Sequence, residues 1–360
     1  MNASGGKGAE AISHLAIKDR VLCFLANTHQ HPVRTERCSG HACGAVSYNR
    51  AIKYVGDGAD ELPSGAGPSR PWRRERSLML VTTKEMLLDA QKNHYAVGAF
   101  NVENLEFVMA VLAAAEETKS PVIMQTTSGT IKKTGLDYFY GMVKAAAERA
   151  SVPVALHLDH GDGYDRCMKA LRTGYTSVMI DGSHETFEDN IALTKLVADA
   201  GAAMGVPVEA ELGKVGGKED DVEVEGESPY TDPVEAKEFV ERTGCTSLAI
   251  GVGTAHGVYT EEPHIDQDVV KAIRAAVDVP LVLHGTSGVP DEQVAEAVKN
   301  GICKVNYATE LRQAYTKGYM AYMAENPNNF DPKNPGKAGA EEITKIVKIR
   351  MENLGSVGRA

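Results

Sequence analysis

The spacing of apolar and polar positions becomes regular after residue 78. From there, eight short runs rich in β-branched residues alternate with amphipathic stretches. Such alternation predicts βαβ units and a parallel sheet. The apolar runs are 95–102, 121–127, 152–159, 177–182, 206–213, 247–254, 279–286 and 302–309. The predicted helices between them include 105–118, 138–150, 187–204, 233–244, 266–277 and 291–301.

Eight consecutive units favour an α/β fold of the (β/α)8 TIM-barrel type over residues 78–360, since such barrels usually contain ~250 residues. A doubly wound open sheet is the alternative. It would normally show fewer strands and a Gly-rich phosphate motif after the first one. Here the first run is followed by Glu103, Asn104 and Leu105 instead.

Residues 1–77 show no sustained periodicity and are rich in Gly, Ser, Arg and His. They contain 11 Lys and Arg against 7 Asp and Glu, a balance of +4, whereas residues 78–360 contain 27 against 42, a balance of −15. We interpret residues 1–77 as a disordered extension or as sequence translated from an early start codon. A transit peptide is a weaker alternative, because acidic residues are not depleted.

The formal net charge of −11 argues against a general nucleic-acid or anionic-membrane binder. No apolar run approaches the ~20 residues that span a bilayer, and no signal-peptide pattern opens the chain, so the expected location is the cytoplasm. The six cysteines form no disulfide framework, and reduced thiols are expected.

Polar residues capable of chemistry fall at or just after the ends of the predicted strands. In a barrel these carboxyl ends meet on one face, where such enzymes place their active sites. The residues concerned are Asn101, Thr127, Asp159, His160, Asp181, Glu211, His256, His284, Asn306 and Thr309.

Three of these strand-end residues are histidines: His160, His256 and His284. A catalytic zinc usually takes three protein ligands and keeps a fourth position for water or substrate. Asp159 could serve as a general acid/base next to it, and Asp181 and Glu211 could orient the imidazoles. A lysine Schiff base is the metal-free alternative, but Lys304 lies within the eighth run.

Two turns suit a phosphate group. Residues 285–288 (Gly-Thr-Ser-Gly) and 306–309 (Asn-Tyr-Ala-Thr) follow the seventh and eighth runs, where barrels commonly bind phosphate through backbone N–H groups. The acidic, glycine-containing segment 214–227 follows the fifth run and could bring Glu219 into the site as a second acid/base.

Residues 79–360 resemble the class II, metal-dependent ketose-bisphosphate aldolases, most closely the tagatose-1,6-bisphosphate aldolase branch. The resemblance lies in AFN (99–101), LHLDH (156–160), MIDGSH (179–184), VEAELG (208–213), IGVGTAHG (250–257), LVLHG (281–285), KVNYATEL (304–311) and the terminal GRA. Residues 1–77 have no counterpart in this family.

The resemblance implies a role for each matching position. The implied Zn²⁺ ligands are His160, His256 and His284, with Asp181 and Glu211 near the metal or its alternate position. Asp159 would be the catalytic acid/base, and Glu219 would exchange a proton with the three-carbon ketone. The implied substrate-binding residues are Asn101, Thr127, Gly257, Gly285, Thr286, Ser287, Asn306, Tyr307, Ala308 and Thr309.

The resemblance further implies reversible cleavage of tagatose 1,6-bisphosphate to dihydroxyacetone phosphate and glyceraldehyde 3-phosphate, with a monovalent cation (Na⁺ or K⁺) near the phosphate. Thr286 and Tyr307 replace smaller residues of the family, and Ala308 matches the tagatose type. Fructose 1,6-bisphosphate is therefore an alternative substrate. There are two further alternatives. The chain could be another zinc-dependent barrel enzyme that acts on a phosphorylated compound, or it could be a non-catalytic subunit of an aldolase complex. A homodimer or homotetramer is expected, and some relatives work with an accessory subunit.

Overall fold

The computed structural model describes residues 79–219, 222–224, 230–259 and 262–360. The predicted extension, residues 1–77, lies outside the described part of the chain. The barrel strands are β1 (Val97–Asn101), β2 (Val122–Thr127), β3 (Val154–Gly161), β4 (Ser177–Ile180), β5 (Val208–Leu212), β8 (Ser247–Ile250), β10 (Leu281–Leu283) and β11 (Ile302–Tyr307). Three further strands lie outside the barrel: β6 (Gly216–Glu219), β7 (Val222–Val224) and β9 (Ala255–His256).

The eight barrel strands form a closed parallel sheet in the order β1, β11, β10, β8, β5, β4, β3, β2. Each lies inside one of the eight predicted runs, apart from the last two residues of β3. The (β/α)8 TIM-barrel fold predicted from the sequence is thereby confirmed. Closure pairs Asn306 of the last strand with Ala99 of the first.

Helices connect the barrel strands and cover the outside. They are α1 (Thr83–Asn93), α2 (Leu105–Thr118), α3 (Ser128–Thr134), α4 (Leu136–Ala147), α5 (Tyr164–Thr173), α6 (Phe187–Met204), α7 (Pro233–Thr243), α8 (Gln267–Ala276), α9 (Asp291–Lys299), α10 (Thr309–Glu325) and α11 (Lys333–Asn353). The predicted bounds of the helix 105–118 and the helix 187–204 agree with α2 and α6.

Side chains alternate along each strand between the barrel interior and the helical layer. In β3, Leu156 and Leu158 belong to the large apolar core, whereas His157 and Asp159 are buried polar residues. The same alternation in β5 separates Ala210 from the buried carboxylate of Glu211. Successive strand residues point to opposite faces, so the barrel encloses polar side chains and its outer face packs against helices.

Helix α1 closes one end of the barrel with apolar residues. Its Met86, Leu87 and Ala90 pack in one cluster with the strand residues Val97 and Ile123. These strand residues come early in β1 and β2, so the apolar contact lies at the amino ends of the strands. The functional groups are therefore confined to the opposite, carboxyl ends.

A small three-stranded sheet lies beyond the carboxyl end of the barrel. β6 pairs antiparallel with β7 and parallel with β9, which places Gly217 beside His256. Among the described residues, no helix is both long enough and apolar enough to cross a membrane.

Candidate active site

Three imidazoles meet at the carboxyl ends of β3 and β10 and on β9. The ring centroids of His160 and His256 are 5.0 Å apart, those of His160 and His284 4.8 Å, and those of His256 and His284 5.9 Å. One ring nitrogen from each lies within 4.8 Å of the others. The structure thus brings together the three histidines predicted from the sequence.

The backbone conformation at His160 allows two consecutive residues of β3, Asp159 and His160, to face the same site. His160 has φ of 44°, and the pairing of β3 with β4 shifts register between Leu158 and Gly161. A positive φ is uncommon for a residue with a side chain, and a bulge re-aims side chains locally. Asp159 therefore points into the barrel while the next residue, His160, also turns to its mouth.

Asp181 fixes the ring of His160. Its Oδ2 lies 2.7 Å from His160 Nδ1, and its Oδ1 accepts hydrogen bonds from Ser183 N and Oγ. Burial alone would raise the pKa of Asp181, but the bonds from His160 and Ser183 outweigh it and hold that pKa well below its ordinary value. The charged Asp181 thus keeps the proton of His160 on Nδ1 and leaves Nε2 facing the other histidines.

His284 is fully buried between two carboxylates. Its Nε2 lies 3.0 Å from Glu209 Oε1, and its Nδ1 lies 3.3 Å from Glu211 Oε2. Burial alone would lower the pKa of His284, but Glu209 and Glu211 outweigh it and raise that pKa to about 9. Glu211 also groups with His160 and Asp181 in a second arrangement that could hold a metal ion.

A charged layer lies directly beneath these residues inside the barrel. Lys304 Nζ lies 3.1 Å from Oε1 and 3.0 Å from Oε2 of Glu209, and both side chains are buried. Although burial raises the pKa of Glu209, the positive charge of Lys304 outweighs it and holds that pKa well below its ordinary value. Burial, reinforced by Lys304, lowers the pKa of neighbouring His157 well below its ordinary value.

Three side-chain amides surround the carboxylate of Asp159. Asn101 Nδ2 and Gln125 Nε2 donate to its Oδ2 at 3.1 Å and 3.0 Å, and Asn306 Nδ2 donates to its Oδ1 at 3.1 Å. Gln125 Nε2 also lies 2.7 Å from Asn101 Oδ1. Since all three amides donate to its two oxygens, these contacts hold the Asp159 side chain in one orientation.

A cleft opens beside the histidines. Most of the predicted substrate-binding residues line it, together with one histidine and one arginine. The lining residues are Asn101, His256, Gly257, Gly285, Thr286, Ser287, Asn306, Ala308, Thr309 and Arg312.

The floor of this cleft is built from turns and a helix start. Thr309 begins α10 and lines the cleft, so the positive end of the helix dipole lies there, an arrangement that favours anions. The hydroxyl of Tyr259 accepts from Ala255 N at 2.7 Å and donates to Gly285 O at 2.6 Å. This hydroxyl ties the segment before Gly257 to the turn at Gly285.

Arg312 is a cleft residue that the sequence analysis missed. Its Nε and Nη2 both lie 2.6 Å from Glu103 Oε1, and Glu103 Oε2 accepts from Thr130 Oγ1 at 2.8 Å. Arg312 follows Thr309 by three residues on α10, and residues three apart share a helix face. That spacing could have identified it from the sequence.

Two predicted substrate-binding side chains do not line the cleft. The ring of Tyr307 stacks on Phe100 with centroids 5.7 Å apart and lies under the guanidinium of Arg350. Alternation along β11 explains this, since Asn306 faces inward and Tyr307 faces the helices. Thr127 is buried and its Oγ1 caps α3 through Thr130 N.

The predicted loop acid is Glu219. The backbone of Glu219 ends β6, but its side chain lies outside the described residues. His184, His264 and His94, which carry no predicted role, are exposed.

The donor set fits a divalent metal ion such as Zn²⁺. Within the described residues, the buried atoms His284 Nδ1 and Glu211 Oε2 lie 3.3 Å apart but form no hydrogen bond with each other or with another group, and both residues belong to groups that could hold a metal ion. Buried polar atoms are normally paired, and three imidazole nitrogens are a common ligand set of catalytic zinc. His160, His256 and His284 could hold the ion, with Asp181 and Glu211 beside it.

Three histidines and a buried aspartate meet at the carboxyl face of a parallel barrel, beside a cleft, which is where barrel enzymes place their active sites and which could hold a metal ion. The model of the family described as fructose-bisphosphate aldolase class-II matches residues 81–359. The chain belongs to this family, whose members are generally zinc-dependent.

Solved structures agree with this assignment. The YdjI aldolase from Escherichia coli K12 is similar at 40% identity, with a TM-score of 0.70, over 78% of this chain and 99% of that one. The fructose-bisphosphate aldolase from Campylobacter jejuni is similar at 24% identity, with a TM-score of 0.66, over 78% of this chain and 97% of that one. The latter likeness shows the fold alone.

Proposed function

We propose that this aldolase reversibly cleaves tagatose 1,6-bisphosphate to dihydroxyacetone phosphate and glyceraldehyde 3-phosphate, using Zn²⁺. One observation supports the proposal above others. A buried aspartate held by three amides lies next to a three-histidine group and opens on a cleft whose floor favours phosphate. Those are the parts that carbon–carbon cleavage of a phosphorylated ketose requires.

Asp159 is proposed to handle the first proton. Its carboxylate takes the proton of the C4 hydroxyl while the C4 oxygen becomes a carbonyl and the C3–C4 bond breaks. The electron pair of that bond stays on the three-carbon fragment. Asn101, Gln125 and Asn306 orient Asp159 by donating to its two oxygens, and a general base must be positioned in this way.

His160, His256 and His284 are proposed to hold the zinc ion, with Asp181 and Glu211 orienting the rings or holding the ion in a second position. A bound zinc ion acts as a Lewis acid for the negative charge that develops on the three-carbon fragment. Glu219 is proposed to return a proton to C3 of that fragment, which yields dihydroxyacetone phosphate.

The cleft is proposed to bind the phosphate of the dihydroxyacetone half. Backbone N–H groups at Gly257, Gly285 and Thr309 and the hydroxyl of Ser287 are proposed to donate hydrogen bonds to it. Thr286, Ala308 and the backbone at Tyr307 shape the same wall. A monovalent cation, Na⁺ or K⁺, is proposed beside this phosphate. Arg312, which is ion-paired with Glu103, lines the same opening and is proposed to contact the phosphate.

The decisive experiment compares steady-state cleavage of tagatose and fructose 1,6-bisphosphates by zinc-loaded protein, with and without EDTA. We expect EDTA-sensitive triose phosphate release that is faster from the tagatose ester. Faster cleavage of the fructose ester would support the proposed mechanism but show that fructose 1,6-bisphosphate is the preferred substrate. Cleavage that persists after zinc is shown to be removed would overturn the metal role.

The assembly proposed for the chain is a homodimer or homotetramer, in some settings with an accessory subunit. Light scattering at assay concentration reports the mass of the assembly. A monomer with full activity on either sugar would contradict this part of the proposal and leave the chemistry in place.

A further inference from the structure

We propose that Glu209, held by Lys304, is the positioning residue that aims His284 at the metal. This inference rests on the proposed metal role of His284 and goes beyond it. Neither Glu209 nor Lys304 lines the substrate cleft. Both are buried, and each lies on a barrel strand two residues before a predicted site residue, Glu211 or Asn306.

The hydrogen-bond chemistry of the pair determines which nitrogen of His284 can bind metal. A carboxylate oxygen only accepts, so His284 Nε2 must donate to Glu209 Oε1 across their 3.0 Å separation. In the neutral ring, which is the form that binds a metal ion, the proton is then on Nε2 and the lone pair is on Nδ1. That nitrogen is the buried atom that lacks a hydrogen-bond partner and belongs to the three-histidine group.

Lys304 fixes the carboxylate in this orientation. Its Nζ lies within 3.1 Å of both oxygens of Glu209, so the carboxylate cannot rotate away from His284 without losing one of these contacts. A buried carboxylate without a partner would also be costly, and Lys304 supplies the opposite charge. His157 Nε2 lies 3.7 Å from the second oxygen and occupies the remaining side.

The support continues to the closed end of the barrel. His157 Nδ1 lies 2.8 Å from Ser177 Oγ, which accepts from Thr83 Oγ1 of α1 at 3.0 Å. Since Ser177 accepts from Thr83, its own hydroxyl proton is available for His157 Nδ1. These hydrogen bonds fix the ring of His157, whose Nε2 lies 3.7 Å from Glu209 without a hydrogen bond to it.

Partners that orient metal-bound histidines typically change metal affinity by roughly 10–100-fold when mutated. The test uses two charge-neutral double variants, Glu209→Gln/Lys304→Met and Glu209→Leu/Lys304→Met. The first keeps an acceptor oxygen for His284 Nε2, and the second removes it. Zinc affinity is measured on the full chain by competition with a chromophoric chelator, without substrate, and folding is measured by thermal unfolding of the metal-free proteins.

We expect metal-free proteins of similar Tm, with zinc bound roughly 100-fold more weakly by the Leu variant and roughly 10-fold more weakly by the Gln variant. A folded Leu variant that binds zinc as tightly as the unmodified chain would overturn the inference. A purely structural role would lower Tm equally in both variants and leave their zinc affinities alike.

A second measurement decides the question if a double variant does not fold. In the zinc-loaded unmodified chain, ¹⁵N NMR of the histidines should show metal-bound Nδ1 and protonated Nε2 for His284. Metal on Nε2 would refute the role of Glu209. Neither readout uses sugar cleavage, so a wrong substrate assignment would leave both results interpretable.

Discussion

Gln125 Nε2 lies 3.0 Å from Asp159 Oδ2 and 2.7 Å from Asn101 Oδ1. One amide therefore connects the proposed base to the amide on the first barrel strand. If Asp159 accepts the substrate proton, Gln125 acts only by orienting Asp159. Substitutions at the two positions should therefore reduce turnover by different amounts.

Asp159→Asn should reduce turnover by roughly 10²–10⁴-fold, the usual contribution of a positioned acid/base, and leave zinc content unchanged. Gln125→Leu should reduce it less, by roughly 10–100-fold, since it removes one hydrogen bond to a charged group. Steady-state kinetics with metal analysis tests both. Normal cleavage by Asp159→Asn would disprove the role of the base.

His256→Ala should lose stoichiometric zinc and cleavage together, because one of three imidazole ligands is gone. His184→Ala is the matched control, since that imidazole is exposed and outside the site. Zinc per chain is measured by elemental analysis after dialysis. One zinc retained per chain in His256→Ala would show that the ligand assignment is wrong.

Gly285→Ala should distort the phosphate cleft. Gly285 has φ of +65°, and a Cβ there would lie 2.6 Å from the carbonyl oxygen of Ala255. We expect a loss of about 1–3 kcal/mol in the free energy of unfolding from the strained backbone, with a higher KM. Gly205→Ala is the control, because its φ is +70° and its Cβ would meet open space. Equal KM values in both variants would contradict the prediction.

Arg312→Met should raise KM for a sugar bisphosphate by roughly 10-fold or more, as expected for the loss of a charged hydrogen-bonding group. Arg312→Lys keeps the charge and should retain part of the affinity. Inhibition by inorganic phosphate should weaken in parallel, which separates anion binding from turnover. An unchanged phosphate inhibition constant in Arg312→Met would exclude this residue from the anion site.

The thiols of Cys167, Cys245 and Cys303 should resist alkylation. Burial raises the pKa of Cys167 to about 12 and those of Cys245 and Cys303 to about 11. At pH 8 a pKa of 11 leaves roughly one thiolate in a thousand. Site-resolved mass spectrometry after iodoacetamide treatment should show rapid labelling of these three only in denaturant. Fast labelling of the native chain would contradict their burial.

The barrel could be predicted because each strand is short, β-branched and followed by an amphipathic stretch. The site could be predicted because parallel strands gather their carboxyl ends at one face, which located Asp159, His160, His256 and His284. Gln125, Glu209 and Lys304 were missed or given no role. Each precedes a predicted site residue, Thr127, Glu211 or Asn306, by two positions. Because side chains two residues apart on a strand point to the same face, strand periodicity could have predicted that these three face the barrel interior.

Other features depend on distant parts of the chain. The positive φ of His160 arises from the register shift between β3 and β4, and no local pattern predicts it. Helix α1 seals the barrel through residues of several strands. The β6–β9 pairing joins short segments about forty residues apart, and neither has a strong strand pattern of its own.

That pairing gives a residue without a side chain direct influence over the metal centre. Gly217 has φ of +88°, and a Cβ there would lie 2.1 Å from the carbonyl oxygen of His256. Any side chain at 217 would push against the backbone that holds a proposed metal ligand. A substitution at Gly217 would then displace His256 and weaken metal binding, although residue 217 takes no part in the chemistry.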